Sequence, residues 1–232
     1  MAVLANKRYV KDGVLVGFAT GIFGIGFGVL AISADLSLAQ TMVMSLCVFT
    51  GASQFAAVGV IAAGGSPATA IGSALLLAAR NGFYSMTMSQ HIRGPVWKRA
   101  LAAHVTIDES TALGTAQDEP ADIEGAFWVG GISVFIFWNL GTLIGAIGGQ
   151  SIGDPNALGL DAAFPAGFIS LAAASLRHSA GRIAAAAGFA IAIIALPFTQ
   201  AGVPILLAAA GAVVALALVG PSFLEAPATD ES

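Results

Sequence analysis

The sequence predicts an all-α polytopic membrane protein with about seven membrane-embedded helical segments, some of them interrupted and arranged as an inverted repeat. Three observations carry that prediction. Hydrophobic residues fill 57% of the 232 positions and charged residues only 9%, against roughly 25% charged in soluble domains. Mean hydropathy is +0.87. The few charges collect between long apolar runs, which also hold many of the 29 glycines. Residues 1–221 read as a single transmembrane domain with repeat halves 1–117 and 118–221, and residues 222–232 as a disordered acidic tail. The net charge of −4 and the absence of a basic patch give no reason to expect nucleic acid as a partner. The single cysteine, Cys47, cannot form an internal disulfide and reads as a small hydrophobe.

Residues 13–34 form the first span. Lys7, Arg8 and Lys11 before this run imitate a signal peptide, but the run exceeds the roughly 7–15 residues of a signal h-region and reads as a retained span. Gly17, Gly21, Gly24 and Gly28 fall on one helix face, a small-residue stripe that lets another helix approach. After Asp35 no charge appears until Arg80, leaving room for two embedded segments parted near Gly64-Gly65-Ser66-Pro67. The first is interrupted at Thr50-Gly51-Ala52-Ser53-Gln54. Two readings fit: a broken helix whose free backbone groups line a cavity, or a packing notch with Gln54 bonded to a neighbour.

The second segment carries Arg80-Asn81 near its middle and Tyr84 one turn on. An arginine at membrane depth costs about 2.5–3.5 kcal/mol on insertion scales, so it faces a protein interior or a wet cavity and has a partner. His91, Arg93, Lys98, Arg99 and the interfacial Trp97 follow, a cluster that belongs in the cytoplasm. Residues 96–117 read as one amphipathic helix with Leu101, His104, Asp108, Thr111 and Thr115 on a shared face, Glu109 beside Asp108, and a local hydrogen bond from His104 to Asp108. Two such residues are too few for a metal site.

Residues 116–124 are the strongly polar connector between the halves. The run 125–152 contains Trp138-Asn139 and a second stripe, Gly141, Gly145 and Gly149. The two glycine faces imply close contacts beyond what the chain supplies internally, and hence a membrane partner. Gly153-Asp154-Pro155-Asn156 is a turn. Only fifteen residues separate Asp161 from Arg177, with Pro165 near the start, so a partial or broken helix is expected there. Runs ending near Ala201 and Val219 complete the membrane part. If every run up to Gln90 crosses the bilayer, the basic N-terminus and residues 93–99 fall on opposite sides, against the positive-inside rule. Either residues 50–54 join a re-entrant pair of half-helices, or the N-terminal charges are overruled.

Phe49-Thr50-Gly51-Ala52-Ser53-Gln54-Phe55, Ala79-Arg80-Asn81 with Tyr84, Asp108-Glu109 and Leu160-Asp161-Ala162-Ala163-Phe164-Pro165-Ala166, in that order, resemble the AzlC family, the large subunit of branched-chain amino-acid exporters. The resemblance implies a multi-pass bacterial plasma-membrane exporter of leucine, isoleucine and valine, partnered by a small AzlD-like membrane subunit. Family members commonly read Asn-x-Arg-His around the arginine, where this chain has Ala78-Ala79-Arg80-Asn81. Together with the residue reading it gives a candidate substrate site of Ser53, Gln54, Arg80, Asn81, Tyr84, Asp108, Glu109 and Pro165. Arg80 is assigned to the substrate carboxylate, Asp108 or Glu109 to its ammonium, and Phe55, Phe83 and Phe168 to its apolar tail. An embedded acid is a proton carrier for uphill transport. No cofactor, metal or catalytic constellation is read: HExxH is absent, and GIFGIGFG does not read as GxGxxG. The chain is expected not to be an enzyme, and the alternative to a carrier is a pore-forming or accessory membrane subunit.

Overall fold

The structure, a computed structural model, describes residues 8–151, 169, 172–173 and 175–220. The expectations for residues 152–168, Asp161, Pro165 and Phe168 among them, and for the tail lie outside the described residues. What is described is helical, as the hydropathy predicts. Helix α1 (Arg8–Ser33) is followed by two short helices, α2 (Leu38–Cys47) and α3 (Ala52–Ala62), and by α4 (Pro67–Ser89). Two more short helices, α5 (Val96–His104) and α6 (Asp108–Thr115), precede the long α7 (Pro120–Ser151). After the basic residues Arg177 and His178 come α8 (Ser179–Ala195), α9 (Val203–Ala208) and α10 (Ala210–Val219).

Helices α1 and α7 run parallel and form the centre of the fold. Their glycine stripes face each other. A Cβ at Gly17, Gly21 or Gly24 would meet the backbone of Ser133, Phe137 or Trp138 at 2.8, 2.9 and 2.6 Å, and one at Gly141 or Gly145 would strike the carbonyl oxygens of Gly21 or Ile25. Backbone touches backbone along four turns, a contact that only hydrogen side chains allow. The two stripes therefore satisfy one another. They give no ground for an external partner, which corrects the inference drawn from them above.

The segment 38–62 is a hairpin of half-helices that returns to the end it started from. Helix α2 begins beside the C-terminal end of α1 with a capping box between Ser37 and Gln40. It descends along α7, where Ser45 Oγ donates to Asn139 Oδ1 at 2.8 Å and lies 3.1 Å from Thr142 Oγ1. The chain then breaks at Gly51, whose φ of 63° is left-handed and favours glycine. Across the break Gln54 Nε2 donates to the Met44 carbonyl at 2.9 Å, a contact between residues ten apart that a continuous helix would hold about 15 Å apart. The end of α3 closes the turn: Ile61, Gly65 and Pro67 line one groove with Ala34, Leu36, Gln40 and Met44. The interruption is a break in the helix that turns the chain back, and it is packed, with Gln54 bonded across it, where the broken-helix reading had free backbone groups lining a cavity.

Residues 96–115 hold a second hairpin where a single amphipathic helix was expected. Helix α5 starts beside the N-terminal end of α7, where Lys98 Nζ pairs with Glu124 Oε1 at 2.5 Å, and runs inward until Val105 packs on Gly131. The chain breaks there, and α6 returns along α7 until Gly114 meets Phe127 and Ile123. His104 and Asp108 thus end up on different helices. His104 packs against Phe49 and Phe135 instead of bonding Asp108.

Residues 38–89 and 96–151 consequently share one plan: a half-helix pair followed by a long helix against which the second half-helix packs, as α3 packs on α4 and α6 on α7. The two hairpins enter from opposite ends, and α4 and α7 run oppositely. Within residues 38–151 the two hairpins are thus inversely related; this is not the expected repeat of 1–117 against 118–221, whose second interrupted segment, 164–168, lies outside the described residues. Both breaks use the same device. In the first, the Gly51 N–H donates to Gln54 Oε1 at 3.2 Å; in the second, the Ile107 N–H donates to Ser110 Oγ at 3.0 Å while that hydroxyl donates to the Val105 carbonyl at 2.8 Å. A third-position side chain satisfies an orphan N–H and also holds the preceding half-helix. The tips meet in one core, Phe49 and Ile107 joining Phe27, Val134 and Trp138.

Helices α8 to α10 pack beside this unit through further small residues, with Gly211 against Ala184 and Gly188 and Gly188 against Ala208. Gly202 lies against Val60 and Thr69, at the end where the first hairpin opens. Because α8 ends there too, its basic start, Arg177 and Arg182, lies at the end that carries Arg8, Arg93, Lys98 and Arg99.

Candidate functional site

The break before α6 leaves a helix N-terminus with Asp108 and Glu109 in its first turn, where free N–H groups and the helix dipole favour negative charge. Helix α4 passes this terminus with Arg80 facing it. Arg80 Nη1 and Asp108 Oδ2 lie 2.7 Å apart, with about a third of each side chain exposed (36% and 31%), so the pair is reachable and not sealed in a core. Tyr84, one turn along α4, sits beside the Asp108 carboxylate, with Arg80 and Glu109 also within electrostatic reach. Glu109 is half-buried and feels both Asp108 and Arg80. One arginine thus faces two carboxylates.

The other expected site residues occupy different surroundings. Ser53 and Gln54 are buried at the tip of the first hairpin; the Ser53 hydroxyl contacts that of Thr50, and both ends of the Gln54 amide are bonded to backbone. Asn81 is half-buried on α4 and makes no side-chain hydrogen bond among the described residues. Phe55 stacks edge-on against Phe27 and Trp138, whereas Phe83 is 71% exposed on α4. The structure therefore gathers Arg80, Tyr84, Asp108 and Glu109 and places Ser53 and Gln54 at the opposing tip.

Three buried polar atoms lack a hydrogen-bond partner among the described residues: Asp108 Oδ1, Thr111 Oγ1 and Trp138 Nε1. Trp138 lies against Gly51 at one tip, and Asp108 and Thr111 lie one turn apart at the other. Sequence reasoning put Thr111 on a face with Asp108 but assigned it no role. The motif that marks the second break, Thr106-Ile107-Asp108-Glu109-Ser110, resembles the first only in its polar third position.

The chain matches the family described as AzlC protein over residues 15–152, a stretch that contains both hairpins, Arg80 and the acidic pair. The chain belongs to the AzlC family. It is 28% identical over 155 residues to a Bacillus subtilis protein described as "Branched-chain amino acid transport protein AzlC", covering 66% of this chain and 61% of that one. It thus spans about three fifths of that relative's length. Two Helicobacter pylori relatives, both described as uncharacterized membrane proteins, are 25% and 26% identical over 185 and 177 residues, covering 79% and 75% of this chain and 80% and 77% of theirs. No solved structure matches the chain. Membership in the AzlC family and the apolar helices make this a multi-pass membrane protein, and the matched region contains the two-hairpin unit.

Proposed function

We propose that residues 1–221 form a transporter domain that exports branched-chain amino acids across the bacterial plasma membrane by proton-coupled secondary transport, together with a small AzlD-like membrane subunit. The observation that carries this reading is the Arg80–Asp108 pair, held at a half-helix N-terminus where two oppositely entering hairpins meet. Half-helix ends inside a membrane protein supply free backbone groups of both signs, the recurrent setting of substrate sites in secondary transporters. An arginine paired with a carboxylate is also a pair that a zwitterion can open. The substrate carboxylate takes the planar guanidinium fork, and the substrate ammonium takes the displaced acid. Glu109, an embedded acid beside that pair, is the group we assign to carrying the proton. The Bacillus relative's description supports the substrate class, and the family resemblance supplies the direction and the small subunit. The end that carries the basic clusters is assigned to the cytoplasm.

Efflux from proteoliposomes loaded with labelled leucine tests the reading. Saturable efflux that is driven or slowed by an imposed pH gradient is the expected result. Flux that never saturates would make the chain a pore, and no flux with or without the small subunit would make it an accessory component.

A further inference from the structure

We propose that Asp108 Oδ1 and Thr111 Oγ1 form a subsite for one small monovalent cation, with Thr111 as a ligand. The inference deepens the carrier reading and rests on it for the identity of the surrounding site. The first observation is the pair of orphaned atoms. The Asp108 carboxylate is held by Arg80 through Oδ2 and has the Tyr84 hydroxyl as a hydrogen-bonding neighbour, while its Oδ1 is buried and has no partner assigned among the described residues. Thr111 stands three residues on along α6, on the same helix face, 8% exposed, and its hydroxyl is likewise buried and unpartnered.

The second observation is how unusual that hydroxyl is in this chain. The hydroxyls of Thr41, Thr106, Thr115 and Thr199 each donate to the carbonyl four residues back, at 3.0, 2.7, 2.9 and 2.8 Å. Thr111 could do the same to the Ile107 carbonyl and does not. Buried polar groups are nearly always bonded, and leaving one without a partner is unfavourable, so a withheld hydroxyl one turn along the same helix face from a free carboxylate oxygen points to a ligand. The charge count gives the sign of that ligand. With Glu109 ionised, Arg80 against Asp108 and Glu109 leaves one negative charge in excess, partly met by the N-terminal end of α6. Two oxygens with free lone pairs, one of them anionic, accept hydrogen bonds from an ammonium or coordinate a hard metal cation such as sodium.

The two sources are separable by experiment. Thermal unfolding of the full chain in nanodiscs is followed in sodium chloride against choline chloride, without amino acid, and then in choline chloride with leucine against 4-methylpentanoate, its analogue without the amine. Stabilisation by sodium alone assigns the subsite to a metal cation; stabilisation by leucine but not by 4-methylpentanoate assigns it to the substrate ammonium. In either case Thr111→Val should weaken the stabilising cation about tenfold while Thr111→Ser retains it, the size expected for losing one ligand. Thr111→Val should also raise the melting temperature in choline chloride alone, because it removes a buried hydroxyl that has no partner. A Thr111→Val protein that binds the cation as the wild type does, or a wild type stabilised by neither sodium nor leucine, overturns the proposal. The sodium arm does not depend on leucine flux, so loss of the exporter reading and loss of the subsite are distinguishable.

Discussion

Arg80 can act as a ligand or as a strut, and the two roles leave different consequences when its charge is altered. It was legible in the sequence because a lone cation inside an apolar run is costly unless something faces it, and the structure supplies Asp108 at 2.7 Å. Asp108 was legible as an acid but not as the start of a helix, and Thr111 was not legible as a ligand because an unused hydroxyl shows only in three dimensions. If Arg80 receives the substrate carboxylate, Arg80→Lys keeps the charge and loses the bidentate fork, so the apparent affinity for leucine should fall at least tenfold while the protein remains folded. If it only pairs with Asp108, removing one member alone strands a charge at a cost of about 2.5–3.5 kcal/mol, and the double substitution Arg80→Gln with Asp108→Asn should recover both stability and flux. A ligand role predicts that the double variant unfolds near the wild-type temperature and carries no leucine. Flux in that double variant would end the assignment of Arg80 as a substrate ligand.

At the scale of elements, the first hairpin and the glycine seam were readable and the second hairpin was not. Gly51 marks the first break because the backbone there needs a positive φ, and a glycine among small polar residues in an apolar run stands out. The second break carries no such mark: Ile107 turns the chain at φ −136°, open to any residue, and the helical spacing of Leu101, His104, Asp108 and Thr111 continues across it. Periodicity alone cannot see a chain that reverses without losing register. The glycine seam makes an element-scale prediction with an internal control. Gly21 is pressed against Phe137 backbone, whereas a Cβ at Gly26 on the same helix meets nothing within 4 Å. Gly21→Leu should therefore separate α1 from α7 and destabilise by at least the roughly 1–3 kcal/mol of an overpacked core, and Gly26→Leu should be close to neutral. Thermal unfolding of the two variants in the same detergent compares them; equal melting temperatures would mean that the seam is looser than described.

Across the whole molecule, the two opposed hairpins resolve the charge conflict that the sequence poses. Because 38–62 returns to its own end, α1 and α4 are the only full crossings before Arg93, and Arg8, Arg93 to Arg99 and Arg177 to Arg182 gather at one end. By the excess of Lys and Arg there, the proposed orientation assigns that end to the cytoplasm. The same geometry places Ala39, at the start of α2, and Ala63, at the end of α3, together at the opposite end, although 23 residues of apolar chain lie between them. A continuous crossing would part those two residues by a full bilayer, about 30 Å, and put them on opposite sides. Single cysteines in a Cys47→Ala background make the distinction. Ala39→Cys and Ala63→Cys should both react with an impermeant thiol reagent added outside intact cells, while Arg8→Cys, Arg93→Cys and Arg182→Cys should react only after the cells are opened. Labelling of Ala39→Cys without Ala63→Cys would mean that 38–62 crosses the membrane, and external labelling of Arg93→Cys would put the second hairpin on the wrong side of it. With both hairpins at their own ends, their tips meet between the two faces, where Phe49, Ile107 and Trp138 pack in one core and Asp108, next to Ile107, holds Arg80.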